Sequence, residues 1–183
     1  MNLSKYVGIG EVYRVASQIK LIELLAAKHD FKRIFEYPMD PIAAMFKKPW
    51  IQVSDPCCQG DLLFTWKAFP QVIQAMKRFQ GPYLLFIATN KWNLGAYLQK
   101  LYWHQKEVYA SIHDLWFQVI FQGFQVVDAG YYDCPPWPDA PLSSDDSRHL
   151  GLKDSWIQNL LAFERLPGKF FRAHHVYCLA RLM

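Results

Sequence analysis

Apolar positions recur along this chain with two periods, and the change from one to the other sets out the expected elements. From Glu11 to His29, Val12, Val15, Ile19, Ile22 and Leu25 or Ala26 return at three- and four-residue steps, which predicts an amphipathic helix. Phe31 to Tyr37 then predicts a strand, stopped by Pro38. Trp50 to Ser54, between Pro49 and Pro56, and Asp61 to Trp66 predict two more short strands. Pro70 to Phe79 has Val72, Ile73 and Met76 on one helical face. The run YLLFIAT, Tyr83 to Thr89, is apolar throughout and lies between Gly81-Pro82 and Asn90, as expected of a strand buried on both faces. Helices are expected over Leu94 to Trp103 and Val108 to Gln122, with Gly123 as the stop of the second. Gln125 to Tyr131 predicts a strand, Leu152 to Glu164 a helix and Ala173 to Leu182 a last strand. Before that last pair comes CPPWPDAPLSSDDS, Cys134 to Ser147, a loop with four of the 11 prolines. Strands that mostly alternate with helices argue for an α/β sheet covered on both faces, with a reversed final strand.

The 183 residues suit one domain spanning 1–183. Hydrophobic residues are 52% and charged residues 20%, which excludes a disordered chain. The longest strongly apolar uncharged run, Leu115 to Val127, has 13 residues, against the ~20 that span a bilayer. MNLSKYVGIGEVYR has no apolar core of a signal peptide, so a cytoplasmic location is expected. A net charge of +4 is too mild to argue for nucleic acid. Cys57, Cys58, Cys134 and Cys178 match no zinc spacing, and no metal is expected. Seven Trp, 10 Tyr and 13 Phe are more than a core of this size demands, and suggest a buried interface as well.

Several segments resemble class I S-adenosylmethionine (SAM)-dependent methyltransferases. RIFEYPMD, Arg33 to Asp40, is similar to the first strand and the cofactor loop of that family. GDLLFTW, Gly60 to Trp66, looks like its fourth strand and PYLLFIATNKWNLG, Pro82 to Gly95, like its fifth. GFQVVDAGYYDCPPWPD, Gly123 to Asp139, resembles the sixth strand with a proline-rich insert, and RAHHVYCLAR, Arg172 to Arg181, the last strand. The resemblance implies a Rossmann-like, mostly parallel sheet flanked by helices, and SAM as cofactor of an active member.

Three departures from the family bear on function. A working loop after the first strand needs glycines, so that backbone can approach the ligand. No glycine lies between Gly10 and Gly60, and the loop is Tyr37-Pro38-Met39-Asp40-Pro41. Asp55, 19 residues after Glu36, could bind the ribose hydroxyls. Yet Asp61 opens the next strand six residues later, where the family places a helix, a third strand and another helix. The expectation is a domain reduced on its cofactor-binding side: a degenerate, non-catalytic methyltransferase-like subunit whose shortened side a partner protein covers. The alternatives are an active SAM-dependent enzyme with a reduced site, and a peripheral subunit of a membrane-bound complex.

If SAM binds, the candidates to hold it are Glu36, Tyr37, Asp40, Asp55 and Trp66, with Asn90, Asn93, His104 and His174 toward the substrate. Each has a plainer role: Asp40 and Asp55 precede prolines and form turns, Trp66 packs in a core, and Asn93 caps a helix. His104 and His113 are expected on different helical turns, and His174 and His175 on opposite faces of a strand. Neither Cys58 nor Cys134 lies on a nucleophile elbow. Lys47-Lys48 and Lys32-Arg33 are expected to be solvated basic pairs.

Overall fold

The computed structural model describes residues 9–39, 48–66, 68–93, 109–132 and 172–182. The helices expected over Leu94 to Trp103 and Leu152 to Glu164, and the proline-rich loop, lie outside the described residues. Among the described residues, three helices, α1 (Ile9–His29), α2 (Pro70–Met76) and α3 (Ile112–Phe121), accompany seven strands. These are β1 (Ile34–Glu36), β2 (Ile51–Gln52), β3 (Leu62–Thr65), β4 (Tyr83–Asn90), β5 (Tyr109–Ala110), β6 (Phe124–Tyr132) and β7 (His175–Leu182).

The strands form one mixed sheet in the order β2-β1-β3-β4-β7-β6, with β5 paired to β4 at Thr89 and Asn90. Neighbours from β2 to β4 are parallel, and β7 lies antiparallel between β4 and β6. This is the reversed last strand expected above.

β4 holds the centre and divides the core by the two-residue period of a strand. Leu84, Phe86 and Ala88 join Phe35, Leu63, Val176 and Cys178 under α2 and α3. Leu85 and Ile87 join Ile34, Leu62, Phe64 and Leu179 under Leu21, Ile22 and Leu25 of α1. A strand buried on both faces needs apolar residues at every position, which is why YLLFIAT is continuous rather than alternating.

α3 begins later than its apolar pattern suggested. Tyr109 and Ala110 extend the sheet, and Ser111 then starts the helix with a reciprocal capping box. Its hydroxyl accepts from the Asp114 N–H at 3.1 Å, while the Asp114 carboxylate accepts from the Ser111 N–H at 2.8 Å. Gly123, at φ +87°, ends the helix in the left-handed region. α2 stops at Met76 rather than Phe79, and β1 starts at Ile34 rather than Phe31.

The link from β2 to β3 is nine residues, Val53 to Asp61, all described and containing no helix or named strand. It crosses tightly beneath β1. A Cβ on Gly60 would stand 2.5 Å from the Phe35 ring and 2.8 Å from the Arg33 carbonyl oxygen, so glycine is required there by close approach. Asp61 closes the link by accepting from the Lys32 and Arg33 N–H groups, both at 2.8 Å. These two bonds hold its carboxyl below the usual range.

Candidate functional site

In an open α/β sheet, ligands bind outside the carboxyl ends of the parallel strands. Here those ends carry Glu36 and Tyr37 after β1, Trp66 after β3, and Asn90 to Asn93 after β4.

Glu36 is fully buried. Its Oε2 accepts from Trp50 Nε1 and from Gln52 Nε2, both at 2.8 Å, and lies 3.6 Å from Lys48 Nζ. The parallel register sets Gln52 beside Glu36, and so brings the donors to one oxygen. Lys48, expected in a solvated pair, is instead almost covered and lies 5.8 Å over the Trp50 ring. A carboxylate taken out of water needs a partner charge and hydrogen bonds, and the segment from Lys48 to Gln52 supplies both. Tyr37 keeps to the sheet, its N–H donating to the Phe64 carbonyl at 2.9 Å, and its peptide bond to Pro38 is cis.

Asp55 is not brought to this end. Its Oδ1 accepts from the Cys57 N–H at 2.9 Å, in the turn its proline neighbour suggested. Its Oδ2 lies 3.2 Å from Arg78 Nη2, in the turn after α2. The chain from that turn pairs with the β2–β3 link through Gln59 and Gln80 and leads to the amino end of β4. Asp55 is thus drawn away from Glu36.

Trp66 is half-buried, with the Arg14 guanidinium 5.2 Å over its ring. Asn90 and Asn93 work on the backbone of the segment that leads into β7. Asn90 Nδ2 donates to the Ala173 carbonyl at 2.9 Å, and Asn93 Nδ2 to that of Arg172 at 3.0 Å. Asn90 Oδ1 accepts from the Trp92 N–H at 3.1 Å, and the Asn90 N–H donates to the His174 carbonyl at 2.7 Å. His174 is buried, while His175 stacks on Tyr132 at 5.3 Å. The structure therefore brings Asn90, Asn93 and His174 together and leaves Asp55 apart. Asp40 and His104 lie outside the described residues.

Sequence reasoning missed the partners of Glu36. The one local signal was a lysine and a tryptophan flanking Pro49, directly before a strand parallel to β1.

Two of the thiols, Cys58 and Cys178, are held toward the protonated form. Burial, then the neighbouring Cys57 and Asp55, push Cys58 up, and burial with Asp128 pushes Cys178 up to about 12. Among the described residues, no three His, Cys, Asp or Glu side chains converge as metal ligands, and no helix is long and apolar enough to cross a membrane.

No protein-family model matches the chain, and no curated protein matches it by sequence. Solved structures do match. The magnesium protoporphyrin IX methyltransferase of Synechocystis PCC 6803, solved with bound SAH, superposes with a TM-score of 0.53 at 8% identity. The match covers 94% of this chain and 84% of that one. A SAM-dependent methyltransferase from Thermotoga maritima also gives 0.53, at 10% identity over 96% of this chain and 92% of that one. With its β2-β1-β3-β4-β7-β6 order and its reversed last strand, the chain has the fold of the class I SAM-dependent methyltransferases.

Proposed function

We propose that this is a degenerate, non-catalytic methyltransferase-like protein that acts by binding a partner protein along its shortened sheet side. The observation that carries this reading is the nine-residue link from β2 to β3, which takes the place of a helix, a strand and a second helix. Among the described residues β2 is then the sheet edge, on the side where the family's adenine would rest.

SAM fits the described residues poorly. Glu36 is sealed among Lys48, Trp50 and Gln52 rather than open to a ligand. Asp55 is engaged with Cys57 and Arg78. The nearest glycine after β1 in the chain, Gly60, is used at the opposite end of the sheet. Partner binding is supported by the surface left at that edge, where Ile51 of β2 is 61% exposed. A two-residue edge strand is too short to invite indiscriminate strand pairing, so side chains would do the recognising.

The test is a melt of the purified chain with and without excess S-adenosylhomocysteine (SAH), beside a photo-crosslinker at position 51 in cells. A ligand at 100 times its Kd stabilises by about 2.7 kcal/mol, visible as a shift of several degrees. No shift, together with a protein crosslinked through position 51, is the expected result. A clear shift, or an edge that crosslinks to nothing, refutes the reading.

A further inference from the structure

The link from β2 to β3 carries two adjacent free thiols, Cys57 and Cys58. Cys57 is exposed. Cys58 is half-buried and packs against the core cluster that holds Phe35 and Phe79. The backbone of the pair is fixed from several sides. The Cys58 N–H donates to the Pro56 carbonyl at 2.8 Å, which closes a γ-turn with Cys57 at its tip. The Cys57 N–H is held by Asp55, and Asp55 in turn by Arg78. The Cys58 carbonyl accepts from the Gln80 N–H at 2.9 Å. The bonds made by the cysteines in this set use their backbone atoms and leave sulfur out.

Adjacent Cα atoms stand about 3.8 Å apart across a trans peptide. A disulfide usually spans about 4.4–6.8 Å between Cα atoms. A ring closed between neighbours is therefore strained, and strain makes a disulfide easier to reduce. Such a bond does not staple a fold. It opens and closes with the thiol–disulfide balance around it.

We propose that Cys57 and Cys58 form a reversible redox pair, oxidised to a vicinal disulfide by a small-molecule disulfide of the glutathione class. The exposed Cys57, as thiolate, attacks one sulfur of the oxidant and releases the first small thiol, leaving a mixed disulfide on Cys57. Cys58 then gives up its proton, its sulfur attacks Cys57 Sγ, and the second small thiol leaves. Two protein thiols are oxidised and one small disulfide is reduced to two thiols, which take up the two protons. Exposure assigns the roles: Cys57 meets the reagent, and Cys58 resolves it. Burial, then Cys57 and Asp55, hold Cys58 toward the protonated form, against a smaller pull from Arg33. The resolving step therefore quickens as pH rises. Closing the ring also draws Cys58 away from the core cluster, so the reduced link is the better packed one. This chemistry does not depend on whether SAH binds or a partner covers β2, so it and the function proposed above fail separately.

The test exposes the full chain to glutathione disulfide, quenches it with an alkylating reagent and reads the peptide that carries both cysteines by mass. The parent peptide should lose two hydrogens and take no alkyl label. An excess of reduced glutathione should restore both labels. Cys58→Ser should stop at a glutathione adduct on Cys57, because nothing resolves it. Cys57→Ser should form an adduct at least ~10-fold more slowly, since the remaining thiol is covered and protonated. Both variants keep the backbone bonds and should keep the parent's circular dichroism; Cys58→Ala replaces Cys58→Ser if the hydroxyl disturbs the core. A parent pair that stays reduced where Cys58→Ser is fully adducted overturns the proposal. So does a lasting adduct on the parent's Cys57, a disulfide from either residue to Cys134 or Cys178, or equal adduct rates in the two serine variants.

Discussion

The two halves of the sheet are built to different standards. On one side, β4, β7 and β6 run for eight, eight and nine residues, and β7 is paired with β6 from His175 to Leu182 and with β4 from His175 to Ala180. On the other, β1 has three residues and β2 two, held by two registered pairs. The long half is an ordinary apolar sandwich of Phe86, Phe124, Leu115 and Val119. The short half has few strand bonds and uses a buried polar knot, Glu36 with Lys48, Trp50 and Gln52, to fix β2 to β1. Where the sheet is short, buried polar side chains hold its edge strand in place.

That comparison can be broken at its weakest joint. Glu36→Ala takes the carboxylate from beside Lys48 in a nearly closed site, and removing one partner of a buried ion pair costs about 3–5 kcal/mol. Urea unfolding should show that loss, and hydrogen exchange should place the added opening at β1 and β2 while β4 and β7 stay protected. A loss under ~1 kcal/mol would make the knot incidental.

A change in the other direction sharpens the contrast. Gln18, on the α1 face, is fully buried, and its amide has no hydrogen-bond partner among the described residues. Gln18→Met removes a polar group that costs about 1–3 kcal/mol when buried unsatisfied, so the variant should melt higher than the parent. A lower melting temperature would mean that the amide is satisfied in solution.

In the long half, Ser111→Ala removes the α3 cap and should cost about 1 kcal/mol. Asp114 adds a pH signature. Lys91 first, then the Ser111 N–H, lower its carboxyl from 3.8 to about 2. A carboxyl depressed in the folded state contributes its stability above pH 3.8 and loses it as pH falls from there toward 2. The stability gap between parent and Asp114→Asn should therefore be widest near neutrality and close over that window. A gap that widens in acid would contradict the pairing. The smallest effect is expected of Asp55→Asn, which trims an exposed pair with Arg78 worth about 0–1 kcal/mol.

Much of this architecture could be read from the chain. β4 announced itself by an apolar run between Gly81-Pro82 and Asn90, and the α3 stop by Gly123, because those signals are local. The start of α3 is hidden because the apolar pattern continues through Tyr109 and Ala110, and a two-residue strand leaves no periodic trace. The decisive local sign was Ser111 followed by Asp114, a capping box. At the carboxyl ends of the strands, residue types were legible and their partners were not. Asn90 and Asn93 stood out as ligand-facing candidates, yet their bonds to Ala173 and Arg172 join positions 83 and 79 residues apart. Lys48 looked like one of a solvated pair because nothing nearby shows that β2 turns it toward Glu36.

The central claim is that the shortened half no longer holds SAM, and isothermal titration of the purified chain with SAH tests it most directly. The account predicts no saturable heat up to ~1 mM ligand. A one-site isotherm with a Kd of ~10 μM or tighter would contradict it, and would mean that the cofactor site survives the loss of the third strand.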